Sequence, residues 1–249
     1  MIKDGILIID KPQNWTSHDC VAVARRALAA DKLGHGGTLD PMAEGLLPLF
    51  VGRATRIMEY LDMDDKTYEC RVQLGVTTDT QDVWGEVLET KSAEGVTEEQ
   101  FEEALMSFIG PIDQYPPKYS AVRVNGRRLY EYARDGEEVE IKPRRVYVRS
   151  AEMLGFDGDE KIGAFRITVS KGTYIRTICN DIGEKLGCGA AMCGLKRTAV
   201  GIFTLENATT PDRLKALVEV RKAAKKSGEE YTVPEDIVDA IMPPDEPMV

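Results

Sequence analysis

The stretch that most restricts how this chain can fold is Gly34-His35-Gly36-Gly37-Thr38-Leu39-Asp40-Pro41-Met42-Ala43-Glu44-Gly45. Gly34, Gly36, Gly37 and Gly45 permit φ > 0 and a close approach of backbone to a neighbour. Pro41 fixes its own φ and pushes Asp40 out of the α region, so the aspartate belongs in extended or turn geometry. The product is a stiff loop that holds one acid. His35, one of two histidines in the chain, lies five residues away. An acid and a histidine so placed look like a site. On residue types alone the plainer reading is an aspartate that caps a turn beside a histidine that bonds backbone, because Asp and Gly are ordinary turn residues.

Length leaves room for one large domain, or one domain with a small appendage: 249 residues can bury a substantial core. No apolar run approaches the roughly 18–20 residues of a membrane span. The start, Met1 to Asp10, reads as a buried strand and lacks a signal-peptide cleavage site, so a cytoplasmic location is expected. The cysteines Cys20, Cys70, Cys179, Cys188 and Cys193 form no C-x-x-C and no histidine lies near the last two. Zinc is not expected, and the thiols read as reduced small hydrophobes. A net charge of −10 argues against a nucleic-acid partner at first sight. The charge is uneven, however: seven acids and no base follow residue 226, while nine bases oppose five acids between Lys118 and Ser150. Local basic surface, not total charge, is what meets phosphates.

Along the chain, Lys11 to Trp15 forms a turn, and Thr16-Ser17 offers the cap for a helix over about His18–Ala30. Thr67–Gly75 reads as a strand and Trp84–Thr90 as its partner, joined by a polar turn that contains Asp82. Thr97-Glu98-Glu99-Gln100 is a capping box that opens a helix with Phe101, Leu105 and Phe108 on one face. Asn125-Gly126, flanked by Ala121–Val124 and Arg127–Tyr130, is the strongest hairpin signal in the chain. Its interleaved tyrosines and arginines suit both stacking on RNA and a solvated edge with snorkelling arginines. Val139–Lys142, Arg145–Phe156, Ala164–Ser170 and Gly201–Leu205 read as strands, and Thr173–Leu186 as a helix stopped by Gly187. Thr210 and Pro211 open a last amphipathic helix, beyond which a Pro-rich acidic tail from Lys226 is expected to be poorly ordered. Helices intercalated without β-α-β regularity imply an α+β fold, with a mixed, largely antiparallel central sheet flanked by helices and a basic hairpin insertion.

The run from Gly34 to Gly45, continued by Leu46-Leu47-Pro48 and Gly52-Arg53-Ala54-Thr55-Arg56, resembles the catalytic-aspartate motif of the TruB family of tRNA pseudouridine synthases. The match is dense and ungapped over more than twenty residues, far more specific than a lone glycine pattern. Asp10-Lys11-Pro12-Gln13-Asn14-Trp15-Thr16-Ser17 resembles the family's D-K-P-x-G-x-T-S, with Asn14 in place of glycine. Pro116-Pro117-Lys118-Tyr119-Ser120-Ala121 matches its P-P-x-Y-S-A, Val169 to Arg176 its arginine motif, and Leu195 to Phe203 its L-x-R-T-x-x-G-x-F. The matches keep family order from Ile6 to about Leu205.

The resemblance implies a pseudouridine synthase fold, with residues 1–209 as catalytic domain and 116–142 as an RNA-binding insertion. Residues 210–249 would form a C-terminal helix and acidic tail, without a full C-terminal RNA-binding domain. It implies isomerisation of uridine to pseudouridine at position 55 in the T-loop of tRNA, with Asp40 as nucleophile, Arg176 as its ion-pair partner and Tyr68 stacked on the target base. Attack on the ribose and proton abstraction that leaves a glycal both fit the residues. His35, Lys11, Tyr174, Leu195, Lys118, Arg123, Arg127 and Arg197 are implied to bind substrate RNA, with Leu195 as an apolar wall and His35 filling the gap left by the departed nucleotide. The chemistry requires no metal or cofactor. The T-arm stem-loop of tRNA is the expected partner, with no guide RNA and no membrane, and a monomer is expected. A non-catalytic RNA-binding protein would share the basic hairpin. A glycosidase would need a second well-placed acid, and only Glu44, on the same loop, is near in sequence.

Overall fold

A computed structural model of the protein describes residues 4–244. In chain order its elements are β1 (Gly5–Lys11), α1 (Ser17–Leu28), β2 (Leu33–His35), β3 (Glu44–Val51), β4 (Lys66–Leu74), β5 (Val76–Thr78) and β6 (Val87–Thr90). Then come α2 (Glu98–Met106), β7 (Gly110–Gln114), β8 (Arg123–Val124), β9 (Arg127–Arg128), α3 (Leu129–Asp135), β10 (Arg144–Asp157) and β11 (Ile162–Val169). The chain closes with α4 (Ile175–Leu186), β12 (Ala190–Val200), β13 (Phe203–Thr204), α5 (Pro211–Ser227), α6 (Glu235–Asp239) and β14 (Ile241–Met242). These fall into two compact units: one joins the N-terminal segment through Lys66 to the C-terminal segment from Lys196, and the other is Thr67–Leu195. The architecture is α+β, with mixed, largely antiparallel sheets flanked by helices.

In the first unit, β1 is apolar without interruption from Gly5 to Ile9, the pattern of a strand covered on both faces. Alternation sends Leu7 and Ile9 toward α1 and α5, among Val23, Ala27, Leu214 and Leu217. Ile6 and Ile8 point the other way, toward Phe50, Val200 and Phe203. β1 pairs antiparallel with β3 from Gly5↔Val51 to Lys11↔Gly45, so the register sets Lys11 against the end of the Asp40 loop. The last part of β12 runs parallel to β3 at Lys196↔Glu44 and Arg197↔Gly45. Thr16 and Asp19 close a capping box on α1, and the helix stops at Leu28 where Ala29 turns left-handed.

The acidic tail departs from expectation. Ile237 and Ile241 are buried in the α1–α5 core, and β14 pairs with β1 at Ile6↔Met242. The isoleucines inside this acidic stretch help anchor it, together with Val233 and the Tyr231 hydroxyl donating to Ala27 O, because apolar burial acts side chain by side chain. Met1–Lys3 of the expected first strand and residues 245–249 of the tail lie outside the described residues.

In the second unit the strand order is β4-β11-β10-β7, with β12 beside β4. The capping box of Thr97 and Gln100 opens α2, as its spacing implies. Three strand expectations need correction. Trp84–Thr90 does not pair with β4; Val87–Thr90 pairs instead with the short β5, because Gly75 at φ +85° turns the chain out of β4. Residues 139–142 form no strand, since Pro143 next to them has no N–H for a ladder. The Asn125-Gly126 hairpin has only two residues on each side, and Leu129 already starts α3.

Candidate active site

Asp40 sits in a loop that is tied down on each side. Lys11 is fully buried and its ammonium donates to the carbonyls of Trp15 at 2.7 Å, Pro12 at 3.0 Å and Pro41 at 3.3 Å. Asn14 N–H donates to Pro41 O at 2.7 Å, and Leu39 N–H donates to the Ser17 hydroxyl at 3.0 Å. Leu39 and Ala43 are buried, so the half-buried Asp40 stands between two apolar anchors. Gly37 takes φ +97° and Gly45 φ +98°; Gly34 and Gly36 do not enter that region. Gly36 is required for space, because a Cβ there would lie 2.8 Å from the Phe50 ring.

Two of the basic residues implied to touch RNA are buried. Lys11 is one. Arg197 is the other: it is 1% exposed, and its guanidinium donates to Leu46 O at 2.8 Å and Gly37 O at 3.2 Å, with Thr38 O at 3.5 Å. Sequence displays the charge of such residues but not their burial. Desolvation pushes the Lys11 pKa down, opposed by the charges of Cys20, Glu44 and Asp40. His35, half-buried, stands edge-on to His18 with ring centroids 5.5 Å apart. Burial, then the neighbouring charge of His18, pushes its pKa down, which keeps the imidazole neutral at neutral pH.

In the second unit Arg176 occupies the first turn of α4, 7% exposed. It donates to Thr80 O at 3.0 Å and Tyr119 O at 3.1 Å, and lies 3.5 Å from the Asp82 carboxylate. Asp82, read from the sequence as part of a polar turn, is 1% exposed and also accepts from the Thr80 hydroxyl at 2.8 Å and the Trp84 N–H at 3.2 Å. Nothing in the residue order distinguishes it from Asp79, so sequence reasoning missed it. Gln114 holds Tyr174 by both backbone groups, at 2.8 and 3.0 Å, and so orients the entry to α4. Tyr68 is buried on β4, and Leu195 is half-buried on β12.

Among the insertion residues, Lys118 and Arg123 are exposed, the latter bonding Gly126 O at 3.0 Å. Arg127 is not presented outward in the same way. It pairs with Asp135 and Glu137 and stacks 4.5 Å from the Tyr132 ring centroid.

Such an arrangement offers a carboxylate on a rigid support and, separately, a buried guanidinium at a helix start. The kinship of the chain agrees with this chemistry. Residues 25–175 match the TruB family pseudouridylate synthase (N terminal domain), and residues 176–249 match the tRNA pseudouridylate synthase B C-terminal domain. A tRNA pseudouridine synthase B of Ralstonia nicotianae is 48% identical over 222 residues, covering 88% of this chain and 70% of the relative. One of Opitutus terrae is 48% identical over 214 residues, covering 86% of this chain and 88% of the relative. Among solved structures, a Cbf5-Nop10-Gar1 complex matches with TM-score 0.70 and 32% identity over 98% of this chain and 61% of that one. An H/ACA RNP bound to a substrate RNA containing 2'-deoxyuridine matches with TM-score 0.68 and 30% identity, over 98% and 60%. The chain thus spans about three-fifths of the length of the solved chains it matches. With family matches that together run from residue 25 to residue 249, the chain belongs to the TruB family of pseudouridylate synthases.

Proposed function

We propose that this chain converts the uridine at position 55 in the T-loop of tRNA into pseudouridine, with Asp40 as nucleophile. The reaction breaks the N-glycosidic bond, turns the uracil and rejoins it through carbon 5 to the same ribose. The only net movement on the base is a proton, lost from carbon 5 and gained at nitrogen 1. A carboxylate that forms or triggers a transient intermediate at the sugar divides this exchange into two smaller barriers. What supports the assignment to Asp40 is its loop, pinned by buried Lys11 on one side and buried Arg197 on the other. Catalysis of this kind depends on reactive groups held within fractions of an ångström.

Arg176 acts as the counter-ion of Asp40 and orients its carboxylate. Tyr68 stacks on the uracil and takes part in moving the carbon-5 proton, and Leu195 walls the pocket. His35, neutral as burial keeps it, fills the space of the extruded nucleotide. Extrusion costs a few kcal/mol and costs least in a loop, which favours a hairpin-loop substrate. Tyr174, at the start of α4, and Lys118 and Arg123 of the insertion contact the RNA, the latter two through phosphates. The curated relatives are named for tRNA, and the present chain is assigned the same substrate, acting as a monomer without a guide RNA.

Pseudouridine formation on a T-arm hairpin tests the role of Asp40. Asp40→Asn keeps shape and removes the charge, and should lower the rate by at least about 10³-fold, the scale of losing a nucleophile from a catalytic unit. A rate near wild type removes Asp40 from the mechanism.

A further inference from the structure

We infer that Arg197 is a positioning residue for the catalytic loop: its guanidinium spans from the backbone before Asp40 to the backbone after it and sets where the carboxylate stands. This rests on the reading of Asp40 given above. It donates to the carbonyls of Gly37, Thr38 and Leu46, all within six residues of Asp40. Nε serves the distal side and the two terminal nitrogens the proximal side, so one rigid planar group measures the width of the loop. The arginine itself is fixed from behind. Its backbone pairs with Gly45 in the parallel ladder, and a Cβ at Gly45 would lie 2.2 Å from Arg197 O. Glycine at 45 is therefore the condition for Arg197 to sit close enough to reach Gly37. Burial excludes the guanidinium from competing water. A lysine could keep the charge and bond one side of the loop, but its single nitrogen cannot span both.

Arg197→Lys, with Arg197→Gln as a second variant that keeps one donor without the buried charge, tests this against wild type and Asp40→Asn. Single-turnover rate and RNA affinity are measured on a T-arm hairpin, with hydrogen exchange at amides 37–46. Expected for a folded variant is a rate loss of about 10²-fold, the effect of a misplacement near 1 Å, with affinity within about twofold of wild type. Exchange in the loop should rise. A wild-type single-turnover rate overturns the inference, and weakened RNA affinity at that rate returns Arg197 to RNA contact. Failure of both variants to fold overturns it in favour of a purely architectural arginine. An active Asp40→Asn protein defeats the reading of Asp40 instead, whereas an inactive one beside a fully active Arg197→Lys defeats only the present inference.

Discussion

The Asp40 loop and the basic insertion use positive charge in opposite ways. In the loop, Lys11 and Arg197 are buried and donate to main-chain carbonyls on several sides. In the insertion, Arg127 remains at the surface and faces Asp135 and Glu137, carboxylates of its own segment. A buried cation bonded to several carbonyls fixes the path of a chain, because its removal takes the donor from more than one partly buried acceptor at once. A surface pair holds little, because water can replace either partner. Rigidity in this protein therefore lies where the candidate nucleophile is, and adaptable charge lies where RNA would be gripped.

Three substitutions sharpen that contrast. The largest effect belongs to Lys11→Met, which fills the space but takes the donor from the carbonyls of Pro12 and Trp15, while Pro41 O keeps the Asn14 N–H. At roughly 1–3 kcal/mol for each group left unsatisfied, a loss of about 2 kcal/mol or more is expected in chemical denaturation. A loss under about 1 kcal/mol would make Lys11 no better a fastener than a surface residue.

Asp181 on α4 supplies an intermediate case, a half-buried charge that loss of solvent destabilises. Its pKa is pushed up to about 6, chiefly by burial, with Asn180 and Lys185 opposing. A carboxyl whose folded pKa lies above the unfolded 3.8 stabilises the fold below the unfolded value and loses that contribution as pH rises through about 6. Asp181→Asn should therefore raise the melting temperature at pH 7.5 relative to wild type, by about 2–4 °C if about 1 kcal/mol is recovered. At pH 4 the gain should vanish. An equal gain at both pH values would show that ionisation is not the cause.

Arg127→Gln should change least, by under about 1 kcal/mol, since it removes surface pairs only. A larger loss would place the insertion with the rigid loop and erase the distinction.

What could be read ahead of the structure was what is local. Thr16 and Thr97 cap their helices because a capping box is complete within four residues. The stiffness of the Asp40 loop follows from Pro41 and the glycines, although only Gly37 and Gly45 use positive φ. What stayed hidden depends on partners far along the chain. Asp82 meets Arg176 across 94 residues, β14 finds β1 from the opposite end, and Arg197 reaches Gly37 across 160. The resemblance implied RNA contacts at Lys11 and Arg197, and neither a motif nor a charge says which side chains the fold encloses. The exposed Val87 and Leu88 misled in reverse: β-rich composition named a strand but not its neighbour.

The most direct measurement is nucleotide-resolution mapping of pseudouridine in full-length, unmodified tRNA incubated with the purified chain alone, beside a matched Asp40→Asn reaction. The expected result is a single new pseudouridine at the T-loop uridine with the wild-type chain and none with the variant. Pseudouridine in both reactions, or in neither, would contradict the assignment of this chemistry to the Asp40 loop.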